Sequence, residues 1–171
     1  MAPALHVIDG PGPGRLATMG HPRGGSLLAA DMADLARVGV DVFVSALTGS
    51  EHRRLGLIDV ARAARQAGIT YHSFPIVDGG VPSMEDIAAL ALGIRLAAHM
   101  RAGRFVVTQC FAGIGRSTLL AVVTLVMLGV RPEEALLRVG EARGLPVPDT
   151  EAQRHWLYEF AAVHGGAPAN V

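Results

Sequence analysis

One stretch of the chain, residues 106–118, reads VVTQCFAGIGRST. Its first residues form a short apolar run that is typical of a buried strand, and Ser117 opens an apolar run of helical length. Five residues separate Cys110 from Arg116, and Gly113 and Gly115 among them permit positive φ angles. A loop of this kind between a strand and a helix N-terminus can direct several backbone N–H groups inward and hold a tetrahedral dianion. The stretch therefore predicts an α/β fold with an anion loop between strand and helix.

The two ends of this loop carry side chains suited to phosphoryl transfer. Arg116 offers a bidentate fork to two phosphate oxygens, and Cys110 lies where its sulfur can attack phosphorus in line. The positive environment of the loop favours the reactive thiolate. The leaving oxygen also needs a proton, for which Asp78 in the segment FPIVDGGVP is the candidate general acid. The glycines beside Asp78 would let this segment close over a substrate.

Strand-like and helix-like segments alternate along the rest of the chain. Strand patterns cover 15–19, 40–47, 70–75 and 105–109, and helical patterns cover 26–38, 57–67, 83–102, 117–128, 132–140 and 150–164. The order predicts one α/β domain with a central, mostly parallel sheet flanked by helices and with a helical C-terminal third. We expect this domain to span 15–163, between a flexible N-terminal coil at 1–14 and a flexible tail at 164–171. Both ends are rich in Gly, Pro and Ala, which bury little surface to offset the entropy of ordering.

Composition limits the classes of function. The 171 residues hold 15 basic and 15 acidic side chains, so no global field attracts nucleic acid or an anionic membrane. The apolar run at 119–130 is shorter than the roughly 20 residues of a membrane span, and the first residues lack the pattern of a secretory signal. A single cysteine excludes an internal disulfide and suits a reducing compartment, which predicts a cytoplasmic protein. The seven histidines show no metal-ligand spacing, so neither a metal nor another cofactor is expected.

These motifs resemble those of the cysteine-based protein tyrosine phosphatases, specifically the compact dual-specificity branch and, within it, the kinase-associated phosphatase group. Cys110, Arg116 and Ser117 match the signature Cys-x5-Arg followed by Ser or Thr. Asp78 lies 32 residues before the cysteine, where these enzymes carry their acid, and 150–160 (TEAQRHWLYEF) resembles their closing helix. The similarity covers most of residues 15–163.

The resemblance implies hydrolysis of phosphotyrosine, and in dual-specificity members also of phosphoserine and phosphothreonine, through a cysteinyl-phosphate. It makes Cys110 the nucleophile, Arg116 the phosphate clamp, Asp78 the general acid and then base, and Ser117 the hydroxyl that steadies the leaving thiolate. Gln153 is implied as a polar neighbour of the hydrolytic water. The expected partners are a phosphorylated protein or peptide and a phosphate held by the loop residues, namely Phe111, Ala112, Gly113, Ile114, Gly115 and Arg116.

Gln109 departs from the family pattern. The family usually places histidine immediately before its cysteine, where the ring organises the loop. Glutamine can donate a hydrogen bond to a backbone carbonyl but carries no charge. We expect an active enzyme in which less of Cys110 is thiolate at neutral pH than in family members that have the histidine. The alternative is a catalytically weak pseudophosphatase that binds phosphorylated partners.

Other readings of the loop are weaker. An arsenate reductase would need further cysteines to resolve its intermediate, and the loop of a sulfurtransferase generally has different spacing. The loop also contains no lysine, which argues against multiply phosphorylated inositol lipids as substrates.

Overall fold

The fold is built on a five-stranded sheet, seen in a computed structural model that describes residues 3–82 and 86–166, apart from the side chain of Asp86. The strands lie in the order β1-β2-β5-β3-β4; the pairing of β1 with β2 is antiparallel, and the other pairings between the described strands are parallel. The mostly parallel sheet predicted from the sequence is therefore confirmed. The strands are β1 His6–Ile8, β2 Arg15–Met19, β3 Val42–Ser45, β4 Thr70–Ser73 and β5 Phe105–Gln109.

Six of the seven α-helices in the described residues cover the two faces of the sheet. Helices α1 and α3 pack on one face, while α4 to α7 form the thicker layer on the other. Successive side chains of β5 face opposite sides of the sheet. Val106 packs in the core under α4 to α7, and Val107 packs in the core under α1 and α3. The helices are α1 Leu28–Arg37, α2 Gly49–Arg54, α3 Val60–Gln66, α4 Asp86–Arg101, α5 Arg116–Met127, α6 Pro132–Arg143 and α7 Glu151–His164.

Helix α5 is the centre of the thicker layer. Every residue from Arg116 to Val126 is buried, and α4, α6 and α7 all contact this helix. A Cβ on Gly93 of α4 would come within 2.6 Å of Val123, so this glycine lets the two helices approach closely. The N-terminus of α5 emerges at the edge of the sheet where β2, β3 and β5 end, and this geometry places the predicted loop there.

The structure departs from the sequence prediction most clearly in three places. The coil predicted for 1–14 is wrong at His6–Ile8, because three residues are too short to show a strand period and are ordered by pairing with β2. The six polar residues of α2 have no apolar stripe, so the sequence prediction of 57–67 found only α3. His164 ends α7, as the helical pattern at 150–164 predicted, so the tail predicted for 164–171 is wrong at its first residue. The capping box predicted for the start of α4 includes Ser83, which lies outside the described residues. Among the described helices, none has both the length and the apolar character required to cross a membrane.

Candidate active site

The loop between β5 and α5 packs closely on the C-terminal end of β2. Gly113 has a φ of +72°, and a Cβ there would lie 2.6 Å from the carbonyl carbon of Met19. Only glycine meets both conditions. Gly115 does not have the positive φ that the sequence suggested, since its φ is −90°. A Cβ here would overlap with Oδ2 of Asp149, the far end of an exposed side chain, and would lie 3.0 Å from Oε1 of the buried Gln153.

Cys110 sits at the first position of this loop with its sulfur shielded from solvent. Its side chain is 3% exposed, and Sγ lies 3.3 Å from Oγ of Ser117, within hydrogen-bond distance. Ser117 is fully buried in the first turn of α5, and its carbonyl accepts a hydrogen bond of 2.8 Å from Thr108 Oγ1. A thiolate at this position would accept a hydrogen bond from the Ser117 hydroxyl. The positive end of the helix dipole would also stabilise its charge.

Arg116 uses both of its Nη atoms in contacts with other residues of the site. It is 1% exposed, and Nη1 donates to Glu51 Oε2 at 2.8 Å and to the carbonyl of Ile76 at 2.9 Å. Nη2 donates to Glu51 Oε1 at 2.9 Å and lies 3.1 Å from Oδ1 of Asp78. The structure thus places the predicted clamp and the predicted general acid in direct contact.

Glu51 is a site residue that sequence reasoning missed. Its carboxylate makes the bidentate pair with Arg116 and also accepts a 2.9 Å hydrogen bond from the backbone N–H of Thr48, its partner in a capping box. Burial raises the pKa of Glu51, but the hydrogen bonds from Arg116 and Thr48 outweigh this effect and lower the pKa to about 2. The Thr-x-x-Glu pattern at 48–51 was the one local signal for this helix start.

Asp78 reaches Arg116 from an exposed turn that is fastened to α7. The Asp78 side chain is 80% exposed, and the turn closes through a 2.9 Å bond from the N–H of Gly80 to the carbonyl of Val77. Gln153 Nε2 donates to the Gly80 carbonyl at 3.0 Å, and Thr150 Oγ1 lies 3.3 Å from the Gly79 carbonyl. The start of α7 therefore fixes the position of the candidate acid.

The side-chain amides of Gln153 and Gln109 both form hydrogen bonds with backbone groups. Gln153 is fully buried, and its Oε1 accepts from the N–H groups of Asp149 at 3.1 Å and Thr150 at 3.2 Å. Gln109 is 1% exposed and donates through Nε2 to the carbonyl of Cys110 at 2.6 Å. Each glutamine therefore orders a segment of backbone beside the loop.

The outer side of the loop contacts Arg143 and His21, which the sequence did not single out. Arg143 at the end of α6 donates to the carbonyl of Gly113 at 3.2 Å and to that of Ala112 at 3.4 Å. Phe111 is 45% exposed, and its ring centroid lies 5.1 Å from that of His21. Because these carbonyls accept bonds from outside, the loop is braced independently of any anion. Within the described ranges, no three His, Cys, Asp or Glu side chains are grouped so as to hold a metal ion.

Comparison with known proteins gives a consistent family. The chain matches the family model described as cyclin-dependent kinase inhibitor 3 (CDKN3) over residues 27–136. Over 136 residues it is 33% identical to cyclin-dependent kinase inhibitor 3 of Homo sapiens, covering 76% of this chain and 61% of that protein. The Rattus norvegicus protein of the same name is 32% identical over 135 residues, with the same coverage. The chain thus spans less than two thirds of the length of these curated relatives.

Solved structures support the fold. A crystal structure of kinase associated phosphatase (KAP), with serine in place of its catalytic-site cysteine, superposes with a TM-score of 0.83 at 20% identity and covers 100% of this chain and 99% of that one. The structure of Tk-PTP in the active form has a TM-score of 0.75 at 26% identity and covers 95% and 99% of the two chains. These similarities, together with the match over residues 27–136, show that the chain belongs to the cyclin-dependent kinase inhibitor 3 (CDKN3) family and has the cysteine-phosphatase fold.

Proposed function

We propose that this chain is a protein phosphatase that hydrolyses phosphotyrosine, and phosphoserine or phosphothreonine as well, through a cysteinyl-phosphate on Cys110. The observation that carries the proposal is the arrangement around the loop. Cys110 contacts Ser117 at one end, and Arg116 contacts Asp78 at the other, at 3.3 Å and 3.1 Å respectively. Membership of a family whose solved neighbours include phosphatases supports it.

The chemistry follows from the positions of these groups. The Cys110 thiolate attacks phosphorus, the bond from phosphorus to the leaving oxygen breaks, and Asp78 donates its proton to that oxygen. Loop N–H groups and Arg116, whose Nη2 exchanges its contact with Asp78 for the phosphate, hold the phosphoryl oxygens and balance their charge. Water then attacks phosphorus, Asp78 accepts its proton, and the electron pair of the breaking P–S bond returns to sulfur, where Ser117 donates a hydrogen bond.

The loop composition supports a phosphorylated protein or peptide as the substrate. Its five intervening residues are Phe, Ala, Gly, Ile and Gly, which add no cation for a multiply charged headgroup. The balanced charge of the chain supports neither nucleic acid nor an anionic membrane as a partner. A nucleophilic thiol is active only while reduced, which supports a cytoplasmic location.

The test is hydrolysis of p-nitrophenyl phosphate from about pH 5 to 9, without metal and with a chelator. Cys110→Ser should abolish turnover, and Asp78→Asn should lower kcat/KM by roughly 100-fold or more because the leaving oxygen loses its acid. Asp59→Asn is the matched control, since this aspartate is exposed and pairs only with Arg62 in the described structure. Turnover retained by Cys110→Ser, or abolished by the chelator, would contradict the proposed mechanism.

The alternative function is a pseudophosphatase, and Gln109 is the observation that favours it. Its amide bonds the Cys110 carbonyl but supplies no charge beside the sulfur. A wild-type chain of this kind would bind phosphotyrosine peptide tightly without turnover, and Arg116→Met would abolish the binding. If Gln109→His then produced turnover, the missing charge would be the reason for the inactivity.

A further inference from the structure

A second carboxylate, that of Asp149, lies against the anion loop. A Cβ on Gly115 would overlap with Oδ2 of Asp149 and lie 3.0 Å from its Cγ, so the carboxylate occupies the space beside this glycine. Gly115 immediately precedes Arg116, at the far end of the loop from Cys110. Asp149 is also exposed, so water can reach its oxygens.

The backbone of Asp149 is fixed by the same residue that fixes the candidate acid. Gln153 Oε1 accepts from the Asp149 N–H at 3.1 Å, and its Nε2 donates to the Gly80 carbonyl at 3.0 Å. One buried side chain thus connects the segment of Asp149 to the turn of Asp78. Two carboxylates thus lie at the loop, Asp78 against Arg116 and Asp149 beside Gly115.

Gln153 itself is poorly placed to handle water. Its Oε1 already accepts two backbone N–H groups, which occupy both lone pairs of the oxygen, and its side chain is fully buried. A carboxylate has two acceptor oxygens. Neither oxygen of Asp149 takes part in the hydrogen bonds that Gln153 makes at the start of α7. Of the two residues, Asp149 therefore has the acceptor that a nucleophilic water requires.

We propose that Asp149 binds and orients the water that hydrolyses the cysteinyl-phosphate, an inference that rests on the proposed function. The carboxylate accepts a hydrogen bond from one O–H of the water, and the water oxygen forms its bond to phosphorus as the P–S bond breaks. The electron pair of that bond returns to Cys110 Sγ. The second proton passes to Asp78, which the first step left ionised. Gln153 acts as a positioning residue for both carboxylates.

The test separates the two chemical steps by stopped-flow hydrolysis of p-nitrophenyl phosphate. Asp149→Ala should lower kcat roughly 10-fold or more, with a parallel fall in KM, because misplaced water slows only the second step. A burst of p-nitrophenol approaching one equivalent should appear, and mass spectrometry should detect phosphate on Cys110. Asp149→Asn keeps an acceptor oxygen and should recover most of the lost kcat, while Asp59→Ala should behave as wild type.

The outcomes distinguish the two proposals. A wild-type chain that turns over through a cysteinyl-phosphate, with an Asp149→Ala variant of unchanged kcat and burst, overturns the assignment of Asp149 alone. A fall in kcat/KM equal to the fall in kcat also overturns it, because the first step would then be affected. Absence of any cysteinyl-phosphate or turnover in the wild type refutes the proposed function and the role of Asp149 with it.

Discussion

Replacing Glu51 with glutamine removes the charge that faces the buried guanidinium of Arg116. The pKa of Glu51 is lowered from 4.5 to about 2. At about 1.4 kcal/mol per pKa unit, this difference corresponds to about 3 kcal/mol of unfolding free energy. Removing one partner of a buried ion pair costs a similar amount, roughly 3–5 kcal/mol. Asp78 compensates little, because its side chain is 80% exposed.

The pH dependence of this effect has a defined sign. Because the folded state lowers the pKa of Glu51, its stabilisation is fully present above about pH 4.5 and disappears as the pH falls toward 2. Urea unfolding should therefore show Glu51→Gln to be about 3 kcal/mol less stable than wild type near neutral pH, with a smaller difference near pH 3. Glu141→Gln, on an exposed part of α6, is the control. A neutral-pH difference below about 1 kcal/mol, or one that does not change with pH, would refute the reasoning.

Three further predictions concern other parts of the site and the sheet. Gly113→Ala should abolish binding of phosphate or vanadate measured by calorimetry, because its φ of +72° and the nearby strand backbone exclude a Cβ; unchanged affinity would contradict the loop geometry. Ser117→Ala should lower kcat on the order of 100-fold, because Cys110 Sγ loses a donor at 3.3 Å, and steady-state kinetics would show this. Burial lowers the pKa of His72, so folding stability should decline as the pH falls below about 6.5, and His72→Gln should flatten that decline in unfolding experiments between pH 7 and 5.

The part of the site that lies in one continuous stretch could be predicted from the sequence. The bounds predicted for β2 and β5 match the structure, and α5 begins within one residue of its predicted start. Cys110, Arg116 and Ser117 lie on this stretch, so the local order of strand, loop and helix was enough to bring them together. Asp78 was assigned from its position after a strand, and the parallel sheet accounts for its approach to the loop.

The residues that brace the loop could not be found in this way, because they come from distant segments. Glu51 lies 65 residues before Arg116, and Arg143 lies 30 residues after Gly113. Their contacts depend on how α2 and α6 dock on the sheet, which no local pattern specifies. The water-positioning role of Gln153 stays a prediction, and the contacts that Asp149 and Gln153 make beside the loop depend on the geometry at the start of α7, which the sequence does not specify.

The burial of α5 along its length fixes the C-terminal end of the loop in the core of the domain. Residues 116–126 are buried without interruption, so Arg116 and Ser117 keep their positions for as long as the core stays folded. An oxyanion bound only by the folded loop should therefore raise the melting temperature of the whole domain. At 100 times its Kd, such a ligand would add about 2.7 kcal/mol to the free energy of unfolding, or roughly 5–10 °C for a domain of this size. Thermal-shift screening of phosphate, vanadate and phosphopeptides would thus rank ligands for this loop even with the Cys110→Ser protein, in which turnover is not expected.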